Sequence, residues 1–297
     1  LLYQALTLVP DNVITVGVDY KRYGGQAGNT KTGVNLGEHF INETGAYILV
    51  QQEFLELLSA SAGLRLNHHN LYGNEFIPQL GLSARVAQST TLRACAGKGF
   101  RSPTIRELYM FPAPTPALEP EQLWNYEFGL LHNFTESSTL DMAAFVSEGR
   151  NIIRVGGAFP NLTLGNSGSF VHRGFEVSSN TSLSGNYRID VTYGFLDAGD
   201  QTMGNPRHKV YVGGGYAAGV LRTTLGLQYV AGLYGSDYSK TPLPDYTLLN
   251  ARVTMQVFDR VSCYVAAENI LGAQYQTMAG YPMPGATVFA GLNWTAQ

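Results

Sequence analysis

Residues 98–134 read KGFRSPTIRELYMFPAPTPALEPEQLWNYEFGLLHNF, and the fold turns on how this stretch divides. An alternating strand ends at Gly99-Phe100, and a second begins near Gln122. Between them stand Pro103, Pro112, Pro114, Pro116 and Pro120. Proline lacks an amide donor and has a fixed φ, so this segment cannot pair inside a sheet. It is therefore a long loop. Arg101, Arg106, Glu107, Tyr109, Met110 and Phe111 give it the charged and aromatic groups of a surface that binds something.

Outward from this loop the same period-two alternation recurs along the chain. It predicts strands over residues 1–9, 13–24, 45–54, 60–67, 76–86, 91–99, 123–133, 140–146, 171–183, 187–196, 208–217, 221–229, 246–257, 261–269 and 286–295, about 15 in all. Residues 25–42 read as a polar loop, and 149–169 as either a loop or a pair of strand extensions. In 187–195, Tyr187, Ile189, Val191, Tyr193 and Phe195 alternate with Arg188, Asp190, Thr192 and Gly194. Each strand thus has an apolar face and a face carrying charged or polar side chains.

Of the 297 residues, 44% are hydrophobic and only 14% charged, against about 25% charged in soluble domains. No apolar run approaches the ~18 residues of a membrane helix. The net charge of −3 and the lack of any basic block exclude a nucleic-acid binder. Two architectures remain. In a transmembrane barrel the apolar faces meet lipid; in a soluble β-rich, lectin-like sandwich they meet each other.

Connection length separates the two. Short turns at 10–12, 87–90, 135–138, 184–186, 219–220 and 258–260 alternate with long connections at 25–42, 100–121, 149–169, 197–206, 231–244 and 270–285. Short turns at one end and long loops at the other are the layout of an outer-membrane barrel. The expected fold is all-β, a transmembrane antiparallel β-barrel.

Four segments carry a resemblance to the TonB-dependent outer-membrane receptors. In the first, Gly99-Phe100-Arg101-Ser102-Pro103 leads to Glu107-Leu108-Tyr109, and Leu118-Glu119-Pro120-Glu121 leads to Asn125-Tyr126-Glu127. Arg173-Gly174-Phe175-Glu176 resembles a strand of those receptors, and Glu268-Asn269-Ile270-Leu271 their penultimate strand. Gly280-Tyr281-Pro282-Met283-Pro284-Gly285 resembles their last loop. The resemblance implies a bacterial outer-membrane receptor that is not an enzyme and needs no cofactor. It would bind a scarce nutrient, a siderophore-iron, haem or cobalamin-type chelate, at extracellular loops and import it with energy from the TonB complex. Such transporters have about 22 strands around a plug. Residues 1–297 are therefore expected to be the C-terminal portion of the barrel, with about 15 of those strands. The plug and the first strands would be supplied by another segment or chain, and TonB would act through that plug. Expected surroundings are the lipid bilayer and a small-molecule or metal-chelate ligand, with no nucleic acid. The segment at Leu1 shows no signal peptide.

Candidate site residues fall into three groups. Arg101, Glu107 and Glu127, with Arg173, Glu176 and Asn269, form an expected polar network of the lumen, facing ligand or plug or simply satisfying charge within the wall. Tyr72, Tyr109, Phe111, Tyr234, Tyr238 and Tyr281 lie in expected loops, where they would stack on a flat or chelated ligand or form an interfacial girdle. Met110, Met203, Met278 and Met283 also fall in expected loops, as do His68 and His69. Thioether and imidazole suit copper, so these residues raise the alternative of a copper-uptake receptor, although methionine also serves as an adaptable filler. Cys95 and Cys263 have no zinc spacing; one disulfide between them stays open, with two free, packed thiols the favoured reading.

Overall fold

A computed structural model describes residues 1–29, 33–110, 113–156, 161–183, 185–199, 204–235 and 241–295. The strands are β1 (Leu2–Leu6), β2 (Asn12–Asn29), β3 (Val34–Phe54), β4 (Leu58–His69), β5 (Gly73–Ala87), β6 (Thr90–Arg101), β7 (Glu121–Thr135), β8 (Ser138–Gly156) and β9 (Thr163–Leu183). They continue as β10 (Tyr187–Asp197), β11 (His208–Ala218), β12 (Leu221–Ala231), β13 (Tyr246–Phe258), β14 (Val261–Glu268), β15 (Gln276–Met278), β16 (Tyr281–Pro282) and β17 (Thr287–Trp294). Among the described residues one short helix, α1 (Ile105–Tyr109), interrupts them. β1 to β14 and β17 form a 15-stranded sheet in strict chain order, and β15 and β16 form a separate two-stranded hairpin. The sheet order runs from β1 to β17 without closing on itself.

The chain divides into two compact units. The first is Leu1–Val86, Leu92–Phe128 and Val146–Val171; the second is Ala87–Thr91, Gly129–Phe145 and His172–Gln297.

In the first unit, β2 and β3 pair from Asn12↔Gln52 to Asn29↔Val34, with a register shift between Ala27 and Gly28. β3 has 21 residues, roughly 70 Å of strand at about 3.3 Å per residue. A tilted strand crosses a bilayer in ~9–11 residues. Much of β2 and β3 therefore lies beyond any bilayer, outside the hydrocarbon that imposes an alternating apolar face. This corrects the expected loop at 25–42, where residues 25–29 and 34–42 are strand. Apolar burial there is local, Ile41 against Leu108 and Leu118, so the sequence lacks the period-two signal although its backbone is strand. β8 extends to Gly156 and β9 begins at Thr163, so of the two readings of 149–169 the strand extensions hold for the described residues 149–156 and 163–169.

On the polar face of this unit, Arg65 Nη1 and Nη2 donate to Asp19 Oδ2 and Oδ1 at 2.7 and 3.0 Å. The guanidinium crosses β3 directly above Gly45, where any Cβ would collide with it. Glu75 pairs with Lys98, and Arg93 Nε lies 3.5 Å from Glu127 Oε1.

In the second unit the registers hold apolar rows together. Val253 faces Val265, and Met255 faces Cys263; Val265 faces Ala290, and Cys263 faces Leu292. Val253, Met255, Val257, Val265, Val288 and Leu292 are 44–76% exposed. The buried apolar residues described in this unit are few: Ala198, Val230, Ala231, Leu233, Leu243 and Leu248. A continuous apolar face left open over several strands is far beyond what a soluble domain tolerates. The sandwich reading fails here, since its apolar faces would have to cover one another. On the opposite face Arg252 lies 3.8 Å above the Tyr264 ring, and that ring in turn covers Gly291. Cys95 and Cys263 are both free thiols.

Candidate functional site

The loop between β6 and β7 folds back as a docked latch. Thr104 caps α1 with a reciprocal pair of bonds: Glu107 N–H donates to Thr104 Oγ1 at 3.2 Å, and Thr104 N–H donates to Glu107 Oε2 at 2.7 Å. This is a capping box, which satisfies two donors that a short helix would otherwise leave orphaned. Leu108, on the buried side of α1, packs with Ile41 of β3 and with Leu118, flanked by Ile105, Tyr109, Ile153 and Leu164.

Polar bonds fasten both ends of the loop. Arg101 Nη1 donates to Glu107 Oε2 at 3.0 Å, and its Nε to Glu121 Oε2 at 2.6 Å. Glu121 Oε1 accepts from Ile153 N–H at 2.8 Å. Asn166 accepts from Glu119 N–H at 2.7 Å and donates to Glu119 O and Asn151 O at 2.8 and 2.7 Å. Burial alone would raise the Glu107 carboxyl, but bonds from Arg101 and Thr104 outweigh it and hold the group below its ordinary value.

Beneath the latch lies a recess of about 380 Å³ whose lining includes Asn67, His69, Tyr72, Phe100, Gln122 and Asn151, with Glu75 and Glu119 at its walls. The His69 and Tyr72 rings sit 4.7 Å apart. Burial, then Tyr109 and Glu107, push the Tyr72 hydroxyl up to about 12. A second, more open recess shares Asn67 and Phe100 and adds Asp19, Lys21, Glu43 and Arg65.

The structure gathers some of the expected residues and separates others. Tyr72, Tyr109, Glu107, Arg101 and His69 come together around the latch. Glu127 does not join Arg101; Glu121 takes its place. Six residues along β7 amount to about 20 Å, too far for one guanidinium. His68 and His69 are the last residues of β4 rather than loop residues, and successive strand side chains point to opposite faces. His69 is 1% exposed, while His68 Nδ1 bonds Asn74 Oδ1 at 2.8 Å. The two rings cannot converge on one copper ion. Arg173 and Glu176 are three residues apart on β9 and so also lie on opposite faces. They share no network.

Asn269 is no member of a charged network either. It sits at φ 49°, its Nδ2 donates to Ala273 O and Pro284 O at 2.9 and 3.1 Å, and its Oδ1 accepts from Ala273 N–H at 2.9 Å. It organises the connection after β14. Met278 and Tyr281 are paired and exposed in the β15–β16 hairpin. Tyr234 forms an isolated bridge with Pro242. Met110 ends α1, its N–H donating to Arg106 O. Phe111, Met203 and Tyr238 lie outside the described residues. Among the described residues no group of three or more His, Cys, Asp or Glu side chains could hold a metal ion.

Sequence reading missed Asn67, Gln122, Asn151 and Asn166, single amides in strands whose partners come from distant segments. It also missed α1, although Thr104-x-x-Glu107 is a legible capping signal.

Comparison with known proteins places this geometry. The vitamin B12 transporter BtuB of Photobacterium profundum is 23% identical over 242 residues, 76% of this chain and 39% of its own length. BtuB of Vibrio vulnificus is 24% identical over 146 residues, 49% of this chain and 23% of its own length. The chain therefore spans well under half of these curated relatives. Among solved structures, a ferric enterobactin receptor (PfeA) mutant of Pseudomonas aeruginosa in complex with enterobactin matches with a TM-score of 0.84 at 14% identity, covering 99% of this chain and 53% of that one. The copper transporter OprC matches with a TM-score of 0.79 at 17% identity, covering 96% and 54%. At such identities the likeness shows the fold alone, the antiparallel β-barrel sheet. Residues 3–270 match the family described as TonB dependent receptor-like, beta-barrel, and the chain belongs to that family of bacterial outer-membrane receptors.

Proposed function

We propose that this chain is the C-terminal part of the barrel of a receptor that binds a scarce chelate of the siderophore-iron, haem or cobalamin type and imports it with TonB energy. The plug and the remaining strands complete the barrel, and TonB acts through that plug. The carrying observation is the docked latch, described over residues 102–110 and 113–120. It closes over a polar recess at the end of the strands where β2, β3, β8 and β9 outrun a bilayer, which is where an extracellular ligand would arrive. The relatives named above are transporters and receptors, and this reading asks for binding and gating rather than bond chemistry. The apolar rows face lipid, and the Asp19–Arg65 and Glu75–Lys98 pairs face the lumen. The copper alternative then rests on the methionines alone, because His68 and His69 diverge.

The test is uptake. Deleting the gene should abolish accumulation of one radiolabelled chelate among ferric enterobactin, haemin and cyanocobalamin, and inactivating TonB should do the same in the parent strain. Accumulation of all three that is unchanged by the deletion would rule the proposal out.

A further inference from the structure

We propose that Arg22 on β2, and Arg173 on β9 with Arg207 just before β11, form two outward-facing sites for the phosphate groups of an anionic lipid of the outer leaflet. The inference rests on the membrane-barrel reading of the chain and is independent of which chelate is carried. On β2, Arg22 shares its face with Val16 and Val18, opposite to Asp19, which meets Arg65 on the lumen side. It lies ten residues along the strand from Asn12, roughly 23 Å above the short turn at about 3.3 Å per residue and a ~45° tilt. The apolar band of such a barrel is ~25 Å tall, so the guanidinium stands where hydrocarbon gives way to headgroups. There it lies 4.6 Å above the Phe40 ring. The next row toward the bilayer runs through Tyr20, Thr44, His68 and Asn74 across β2 to β5, an amphipathic girdle beneath the charge.

The second unit repeats the arrangement with different residues. Phe175 and Phe195 face one another on the apolar face of β9 and β10, and Arg173 with its cross-strand neighbour Asp197 follows on the same face. Arg173 is ten residues from the short-turn end of β9 at Leu183. Arg207 lies 5.9 Å from the centre of the Phe195 ring, and beside it Tyr193 Oη and His208 Nδ1 share a hydrogen bond of 2.9 Å.

The charges decide what these faces meet. Among the described residues Arg22, Arg173 and Arg207 enter no salt bridge. The carboxylates of the second unit's face are engaged: Gly199 N–H donates to Asp197 at 3.3 Å, and Gly232 N–H and Tyr229 Oη donate to Asp245 at 3.0 and 3.3 Å. In the first unit Glu38, opposite Gln26, stands farther from the bilayer than Arg22. Toward the short turns the outward positions Ile14, Val50, Leu82, Leu183, Tyr187 and Met255 are uncharged. The cations therefore mark the loop end of the lipid face, where a charge costs least. A guanidinium offers a planar fork that matches phosphate oxygens bidentately, and an aromatic face beneath it holds the group without neutralising it. The counter-charge that reaches this face at this depth is a lipid headgroup.

The experiment is native mass spectrometry of the whole receptor, purified from outer membranes, delipidated in detergent and titrated with bis-phosphorylated lipid A or with its phosphate-free form. The phosphorylated lipid should bind at least roughly tenfold more tightly, and inorganic phosphate should not displace it. Arg22→Gln, and Arg173→Gln combined with Arg207→Gln, should each lower its affinity about tenfold. Arg22→Lys, which keeps the charge, should retain most of the affinity. Lys209→Gln, on the lumen face of β11 opposite Gly194, should leave it unchanged. Heat-modified mobility on a gel verifies that each variant is folded, and the comparison of the two lipids on the parent needs no variant. Equal binding of the two lipids, displacement by inorganic phosphate, or variants that bind as the parent does would each overturn the proposal. So would a loss in Lys209→Gln as large as in the outward variants. The receptor reading stands or falls separately on TonB-dependent uptake.

Discussion

His39 and Tyr109 lie face to face, ring centroids 3.6 Å apart and planes 5° from parallel. The stack joins a side chain of β3 to the end of α1, and Leu108, fully buried at 0% exposure, anchors the same helix one residue earlier. Together they hold the latch down on the strands. Leu108→Ala should cost the docked loop about 2–5 kcal/mol. Proteinase K added to intact cells should then cleave within residues 102–120 more than roughly tenfold faster, since ~1.4 kcal/mol is a factor of ten. Unchanged cleavage would mean that the latch is not held by this contact.

Acid should also release the latch. The Glu107 carboxyl titrates below its ordinary 4.5 in the docked state. A depressed carboxylate stabilises the docked form fully above the undocked value and loses that contribution as pH falls through the docked one. Docking should therefore be constant from neutral pH down to about 5 and weaken below 4.5. Glu107→Gln should remove most of that pH dependence. The readout is proteolysis by an acid-active protease between pH 5 and pH 3.

Arg65 can reach Asp19 only because Gly45 has no side chain. Gly45→Val should displace the guanidinium and destabilise the protein, and Asp19→Ala should cost about 1.5–3 kcal/mol, the range for hydrogen bonds to charged groups. Because the two changes break one interaction, their double mutant should fall well short of additivity. Urea titrations in lipid vesicles provide the comparison.

Neighbouring positions on β12 should respond oppositely to charge. Leu225 pairs with Ala251 on the apolar face, and Thr224 pairs with Arg252 on the polar face. Leu225→Arg should cost about 2–4 kcal/mol if it lies near the middle of the bilayer, whereas Thr224→Lys should cost far less. Equal costs in vesicle-folding measurements would contradict the assignment of faces.

Asn269→Ala should loosen the connection between β14 and β17. It removes three side-chain hydrogen bonds and places a residue without a side-chain acceptor at positive φ. The cost should be about 1–3 kcal/mol, seen as faster hydrogen exchange of Ala273 and of residues 270–275. Protection equal to the parent would show that the backbone holds this turn unaided.

Fifteen strands were legible because one face meets hydrocarbon and the other does not, and that asymmetry writes itself into every second residue. The signal vanished where the asymmetry vanished. Residues 25–29 and 34–42 are strand beyond the bilayer with only local apolar contacts, such as Ile41 with Leu108, so nothing in their order betrays the pairing Tyr23↔Ile41 or Gln26↔Glu38. The separation of Arg173 from Glu176, and of His68 from His69, follows from period two alone and was open to reading once each segment was known to be strand.

The sequence by itself determined the fifteen strands of the main sheet, their faces, the long loop at its prolines and the family, since all of these are local or periodic properties of the chain; the β15–β16 hairpin inside the expected loop 270–285 it did not. Only the tertiary structure decided the site. Glu121 displaced Glu127 as the partner of Arg101, and Asn166 came from 47 residues away to tie down Glu119. Asn67 and His69 from β4, Gln122 from β7 and Asn151 from β8 reached one recess. Which side chains meet across a sheet depends on register and on how the loop folds back, and neither leaves a mark on the spacing of residues along the chain.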